Sequence, residues 1–107
     1  MSAVTDMVRR GELYDYYGDL LSEHQKKIYE SYVFEDLSLS EIAETAGISR
    51  QGVSDLIRRC TQTMEEYEKK LGLIDRSVKL SGICDRIMAA SDLSEVRKLA
   101  ESMKEEL

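Results

Sequence analysis

The chain has 107 residues, of which 42% are hydrophobic and 34% charged, a balance that suits a folded globular chain and excludes a disordered one. Its net charge of −6 argues against a strong non-specific binder of nucleic acid, which would carry a basic face. No apolar run approaches bilayer length and MSAVTDMVRR lacks a signal-peptide core, so the expected setting is cytoplasmic, without membrane insertion.

There is no proline, so uninterrupted helices are easy to build and an all-α fold is expected, with residues 1–107 as a single helical domain. Residues 1–5 are expected to fray. A first helix is predicted from about Asp6 to Leu21, with Leu13, Tyr16 or Tyr17, Leu20 and Leu21 inward. Tyr14, Tyr16 and Tyr17 are better read as packing residues than as a base-stacking platform, because Asp15 and Asp19 would repel phosphate. Gly18 is expected either to let another helix approach or to be a simple weak point. Ser22 with Gln25 forms a capping box that opens a second helix to about Phe34, with Ile28, Tyr29, Tyr32 and Val33 on its apolar side. His24 falls on the exposed side of its first turn.

Residues 38–60, SLSEIAETAGISRQGVSDLIRRC, have the pattern of a helix-turn-helix. Ser38 and Glu41 make a capping box, and Ile42, Ala43 and Ala46 give a narrow apolar face. Gly47 ends that helix, Ile48 points back to the core and Ser49 caps the next helix. On this second helix Val53, Leu56 and Ile57 face inward. Ser49, Arg50, Gln51, Ser54, Asp55 and Arg58 face outward. Gly52, costly inside a helix, is either a tolerated surface residue or a point of close backbone approach.

That helix does not end with the motif. Val53, Ile57, Cys60, Met64, Tyr67, Leu71 and Ile74 recur at alternating spacings of 4 and 3, a heptad seam. From Arg50 to Leu71 the helix would be roughly 33 Å long. The seam is expected both to pair with a second copy, making a homodimer, and to be covered by the chain's own C-terminal helices, over different parts of its length. Glu65 with Lys69 and Glu66 with Lys70 are ordered for i, i+4 pairs. Gly72 is a candidate cap. Residues 73–107 are expected to form packing helices, one carrying Val78 or Leu80, Ile83, Ile87 and Met88 and ending near Ala90. The other is capped by Asp92 with Glu95 and carries Val96, Leu99, Met103 and Leu107. Cys60 and Cys84 have neither metal-ligand spacing nor a neighbouring thiol and are expected as buried free thiols.

Charge is unevenly placed. Residues 38–60 are balanced, with three basic and three acidic groups, whereas the flanking segments are net acidic. All three cations, Arg50, Arg58 and Arg59, lie on the second helix of the motif. No phosphate loop, metal cluster, catalytic carboxylate pair or nucleophile–base pair is legible, so an enzyme is not expected, nor a cofactor or metal.

Residues 13–73, and above all the segments YYGDLL, LSLSEIAE and GISRQGV, closely resemble the YlxM family of helix-turn-helix proteins from Gram-positive bacteria. Residues 22–60 also resemble the DNA-reading fourth region of bacterial sigma factors. The first resemblance implies an all-helical protein and, because genes of the family typically adjoin that for the signal recognition particle GTPase, a regulatory role in that secretion pathway. The second implies that Ser49, Arg50, Gln51, Ser54 and Arg58 approach DNA. Arg50 and Gln51 suit guanine and adenine edges, while Arg58 and Arg59 suit phosphates. The same helix could instead meet the particle's RNA. The acidic balance favours a different reading, a protein-binding adaptor for the particle GTPase or its receptor.

Overall fold

A computed structural model describes residues 3–107, with side chains described from residue 5 onward. The described residues form helices and one 3₁₀ turn, with no strand among them, as the all-α expectation requires. No helix among them is long and apolar enough to cross a membrane. They divide into two compact units, residues 1–71 and 72–107.

In the first unit, α1 (Ala3–Tyr17) runs into a 3₁₀ turn at Gly18–Leu20. It begins earlier than expected, so of the residues expected to fray only Met1 and Ser2 lie outside the described residues. Leu13, Tyr17 and Leu21 are buried, but Leu20 is 58% exposed because the 3₁₀ turn rotates it off the helical stripe. Then come α2 (Glu23–Val33) and α3 (Leu39–Ala46). Both open on complete capping boxes, Ser22 with Gln25 and Ser38 with Glu41. Each box satisfies two backbone donors that the first turn leaves free. Between them Asp36 takes a left-handed conformation (φ 56°).

The long helix α4 (Arg50–Leu71, 22 residues) is the spine of this unit and packs against α1, α2 and α3. Its seam residues Val53, Ile57, Cys60 and Met64 are buried, so the cover comes from the three preceding helices. Burying each apolar side chain contributes about 1.5–3 kcal/mol. Farther along, Tyr67 is half-buried against Tyr17 (ring centroids 6.0 Å apart) and Leu71 is 51% exposed. Ile74 falls on the next helix.

Polar contacts pin the same packing. Arg9 of α1 grips Glu65 of α4 with two hydrogen bonds, Nε–Oε1 at 2.8 Å and Nη2–Oε2 at 3.0 Å. Glu65 is therefore turned toward α1, because a bidentate guanidinium fork holds a carboxylate better than the lysine one turn along. Tyr29 donates to Thr61 Oγ1 (2.7 Å), whose own proton goes to the Ile57 carbonyl (2.8 Å).

Tyr14 and Tyr17 pack as expected, whereas Tyr16 is 42% exposed. Tyr14 stacks on Tyr29 (5.7 Å, 11°), meets Phe34 edge-on and donates to Glu30. Tyr17 is buried and donates to Glu68. A Cβ on Gly18 would come within 2.8 Å of the Tyr14 ring, so that glycine makes room for a side chain of its own segment. The helix approach expected there occurs at Gly11 instead, where Val33 of α2 and Phe34, which caps its end, lie just under 4 Å from a built Cβ.

In the second unit, α5 (Leu73–Ala89) packs on α6 (Leu93–Glu105). Leu80, Ile83 and Ile87 are half-buried, whereas Val78 (64% exposed) and Met88 (77% exposed) lie off that stripe. Asp92 caps α6 through the Glu95 N–H (2.8 Å) and Leu99 is buried, while Leu107 lies beyond the helix and is exposed. Both cysteines are free, Cys60 buried and Cys84 exposed. The expectation of two buried thiols is corrected for Cys84, which stands at the solvent edge of the Leu80, Ile83 and Ile87 stripe.

Candidate nucleic-acid interface

The site is built on the turn between α3 and α4. Gly47 takes the left-handed conformation (φ 71°), and the N–H groups of Gly47 and Ile48 both reach the Ala43 carbonyl, at 2.9 and 3.2 Å. This closes α3 and reverses the chain within a few residues. Ile48, expected in the core, is exposed at 36% and covers the first turn of α4 only partly. Ser49 accepts from the Gly52 N–H through Oγ (2.9 Å) and so caps α4. A Cβ on Gly52 would stand 3.1 Å from that oxygen, so the close neighbour of this glycine is the cap itself.

From that cap α4 presents its polar face. Arg50, Gln51, Arg58 and Arg59 are exposed and Ser54 is half-buried. Arg50, Gln51 and Ser54 line one shallow depression together with Leu39, the first residue of α3. The structure thus carries five of the six sequence-predicted residues on about three turns of one helix, four of them exposed and Ser54 half-buried. The sixth, Ser49, is committed to capping through its acceptor oxygen while remaining exposed.

Asp55 organises the middle of this face. Gln51 Nε2 donates to its Oδ1 at 3.1 Å, and Arg58 Nη2 reaches the same oxygen at 3.4 Å. Arg59 Nε approaches the Asp55 carbonyl oxygen at 3.4 Å. The hydrogen bond from Gln51, helped by Arg58, holds the Asp55 carboxyl below the ordinary aspartate range, so it is ionised at neutral pH. By its spacing Asp55 is an outward residue, and its charge departs from an ideal phosphate-facing surface. Its role was legible, since residues 51, 55 and 58 stand at helical i, i+4 and i+3 spacings.

No group of three or more His, Cys, Asp or Glu residues among the described ones is arranged to hold a metal. His24 is exposed as expected and, with Lys27, edges a groove of about 240 Å³ whose floor is Ile28, Leu37, Ile42 and Ala46.

Capped α3, a glycine-closed turn and a buried-backed α4 with a polar outer face define a helix-turn-helix protein. A family described as "Putative helix-turn-helix protein, YlxM / p13 like" matches residues 4–105. The chain belongs to this family, UPF0122. It is similar to a UPF0122 protein of Symbiobacterium thermophilum, 38% identical over 104 residues, covering 94% of this chain and 97% of the relative. It is 41% identical over 86 residues to a UPF0122 protein of Thermoanaerobacter sp., covering 80% and 74%. A third, from Halalkalibacterium halodurans, is 42% identical over 85 residues, covering 79% and 78%.

Proposed function

We propose that the chain is a regulatory protein that binds DNA by laying the first turns of α4, residues 49–59, in the major groove. One observation carries the reading: Gln51 and Arg58 project from the side of α4 opposite the buried Val53 and Ile57, with Arg50 exposed in the first turn and Ser54 half-buried on the flank, so the helix that bears them is rigidly placed. Rigid presentation is what base reading needs. Arg50 and Gln51 would address base edges, and Arg58 and Arg59 the backbone phosphates. RNA of the signal recognition particle is a second nucleic acid that the same cations could meet. A regulatory place in that secretion pathway, in the cytoplasm, rests on the family resemblance.

The test is binding measured against salt. With only three cations on this face, the logarithm of affinity should fall with the logarithm of salt at a slope of about −2 to −3. Arg50→Ala with Arg58→Ala should weaken binding at least about tenfold and flatten that slope by ~1, the share of the phosphate-facing Arg58. Affinity for operon DNA or particle RNA that is undetectable at low salt, or untouched by the double substitution, overturns the reading.

The net charge of −6 favours a second reading, an adaptor that docks a basic partner such as the particle GTPase or its receptor without touching nucleic acid. A pull-down from cell extract, with nuclease treatment of one half, separates the two. We further propose a homodimer, with its contact moved to the end of the seam at Leu71, because Val53 to Met64 are already buried within one chain.

A further inference from the structure

At about 100° per residue, Gln51, Asp55, Arg58 and Gln62 share one stripe of α4. That stripe lies opposite the buried Val53, Ile57, Cys60 and Met64. Asp55 therefore occupies the centre of the outward face, at the depth where a recognition helix meets the floor of the groove. A carboxylate there cannot be explained by phosphate contact, which it repels. It is also not spent on its neighbours. Gln51 and Arg58 both land on Oδ1, and Oδ2 takes no hydrogen bond among the described residues. The two neighbours thus fix the carboxylate's orientation while one oxygen stays available as an acceptor.

In the major groove an acceptor-only group needs an exocyclic amine. Cytosine offers its N4 amine with no adjoining acceptor. Adenine offers N6 beside N7, whose lone pair repels a carboxylate, and guanine and thymine present acceptors there. We propose that Asp55 is a specificity-determining residue that selects a cytosine by accepting a hydrogen bond from its N4 amine. This inference rests on the DNA reading above and adds the base that it selects.

The experiment selects binding sites from a random duplex library with the full chain, in parallel for wild type, Asp55→Asn and Asp55→Ala. Unchanged helicity by circular dichroism confirms that these exposed substitutions leave the fold intact. The wild type should enrich a motif with one fixed cytosine, and replacing that base should weaken binding about tenfold. Asp55→Asn should move the preference at that one position to adenine, whose N6 and N7 match an amide. Asp55→Ala should lose the preference there and keep it elsewhere. An identical motif from all three proteins, with Asp55→Ala binding every duplex more tightly, overturns the inference and leaves DNA binding standing. Enrichment of no duplex by the wild type overturns the DNA reading and this inference with it.

Discussion

Cys60 and Cys84 show how far apart two similar residues can stand. Cys60 lies under the N-terminal helices, and burial pushes its thiol above the ordinary cysteine range, while Cys84 faces solvent. A thiol reagent at pH 8 should modify Cys84 within minutes and Cys60 only as the protein unfolds, giving one fast and one slow reaction. Rapid modification of both thiols would contradict the packing. The raised value also sets a sign for stability. The favourable contribution of the neutral Cys60 thiol is complete below the unfolded-state value near about 8.5 and is lost as pH rises through the higher folded value. Urea midpoints should therefore fall between pH 8 and 10, and fall less in Cys60→Ala, which has no thiolate to expel.

Helix α4 carries the energetics of the first unit. Its inner half supplies four buried side chains, and its outer end supplies Leu71, half in solvent. Met64 is fully buried between α4 and the helices that cover it. Met64→Ala should cost about 2–5 kcal/mol, lowering the thermal midpoint by several degrees or more, whereas Leu71→Ala should stay within about 1 kcal/mol. Calorimetry of the two variants checks the contrast, and equal losses would mean that the seam is buried evenly along its length. The ends of the elements were the most legible part of the chain. Ser22, Ser38 and Asp92 cap their helices through bonds that span three residues, and Gly47 closes α3 through its own left-handed backbone. Less legible was the start of α5, because Ser81-Gly82 looks like a helix boundary. The helix instead runs from Leu73 straight through that pair, carried by the packing of its apolar stripe on α6.

At the scale of the molecule the question is how a chain of net charge −6 can use an arginine-bearing face. The acidic excess lies outside residues 38–60, where Arg50, Arg58 and Arg59 are balanced by Glu41, Glu44 and Asp55, and salt screens charges more than about 10 Å away. Selective, salt-sensitive binding of modest strength fits that arrangement. The proposed homodimer is tested at this scale by light scattering. The mass should rise from monomer toward dimer as concentration passes through the micromolar range, and a monomeric mass throughout refutes it.

Most of the helix borders, the left-handed turn at Gly47 and the outward set from Arg50 to Arg58 followed from the sequence alone. Each depends on residues within four positions of one another, where helical geometry dictates which groups can meet. The tertiary structure decided what depends on distant partners. Glu65 turned to Arg9, 56 residues away, and away from Lys69 on its own helix. The seam was covered by α1, α2 and α3, and Cys84 was left in solvent. Local spacing cannot rank a neighbour on the same helix against a better-shaped partner from another, because that choice is made only when the helices pack.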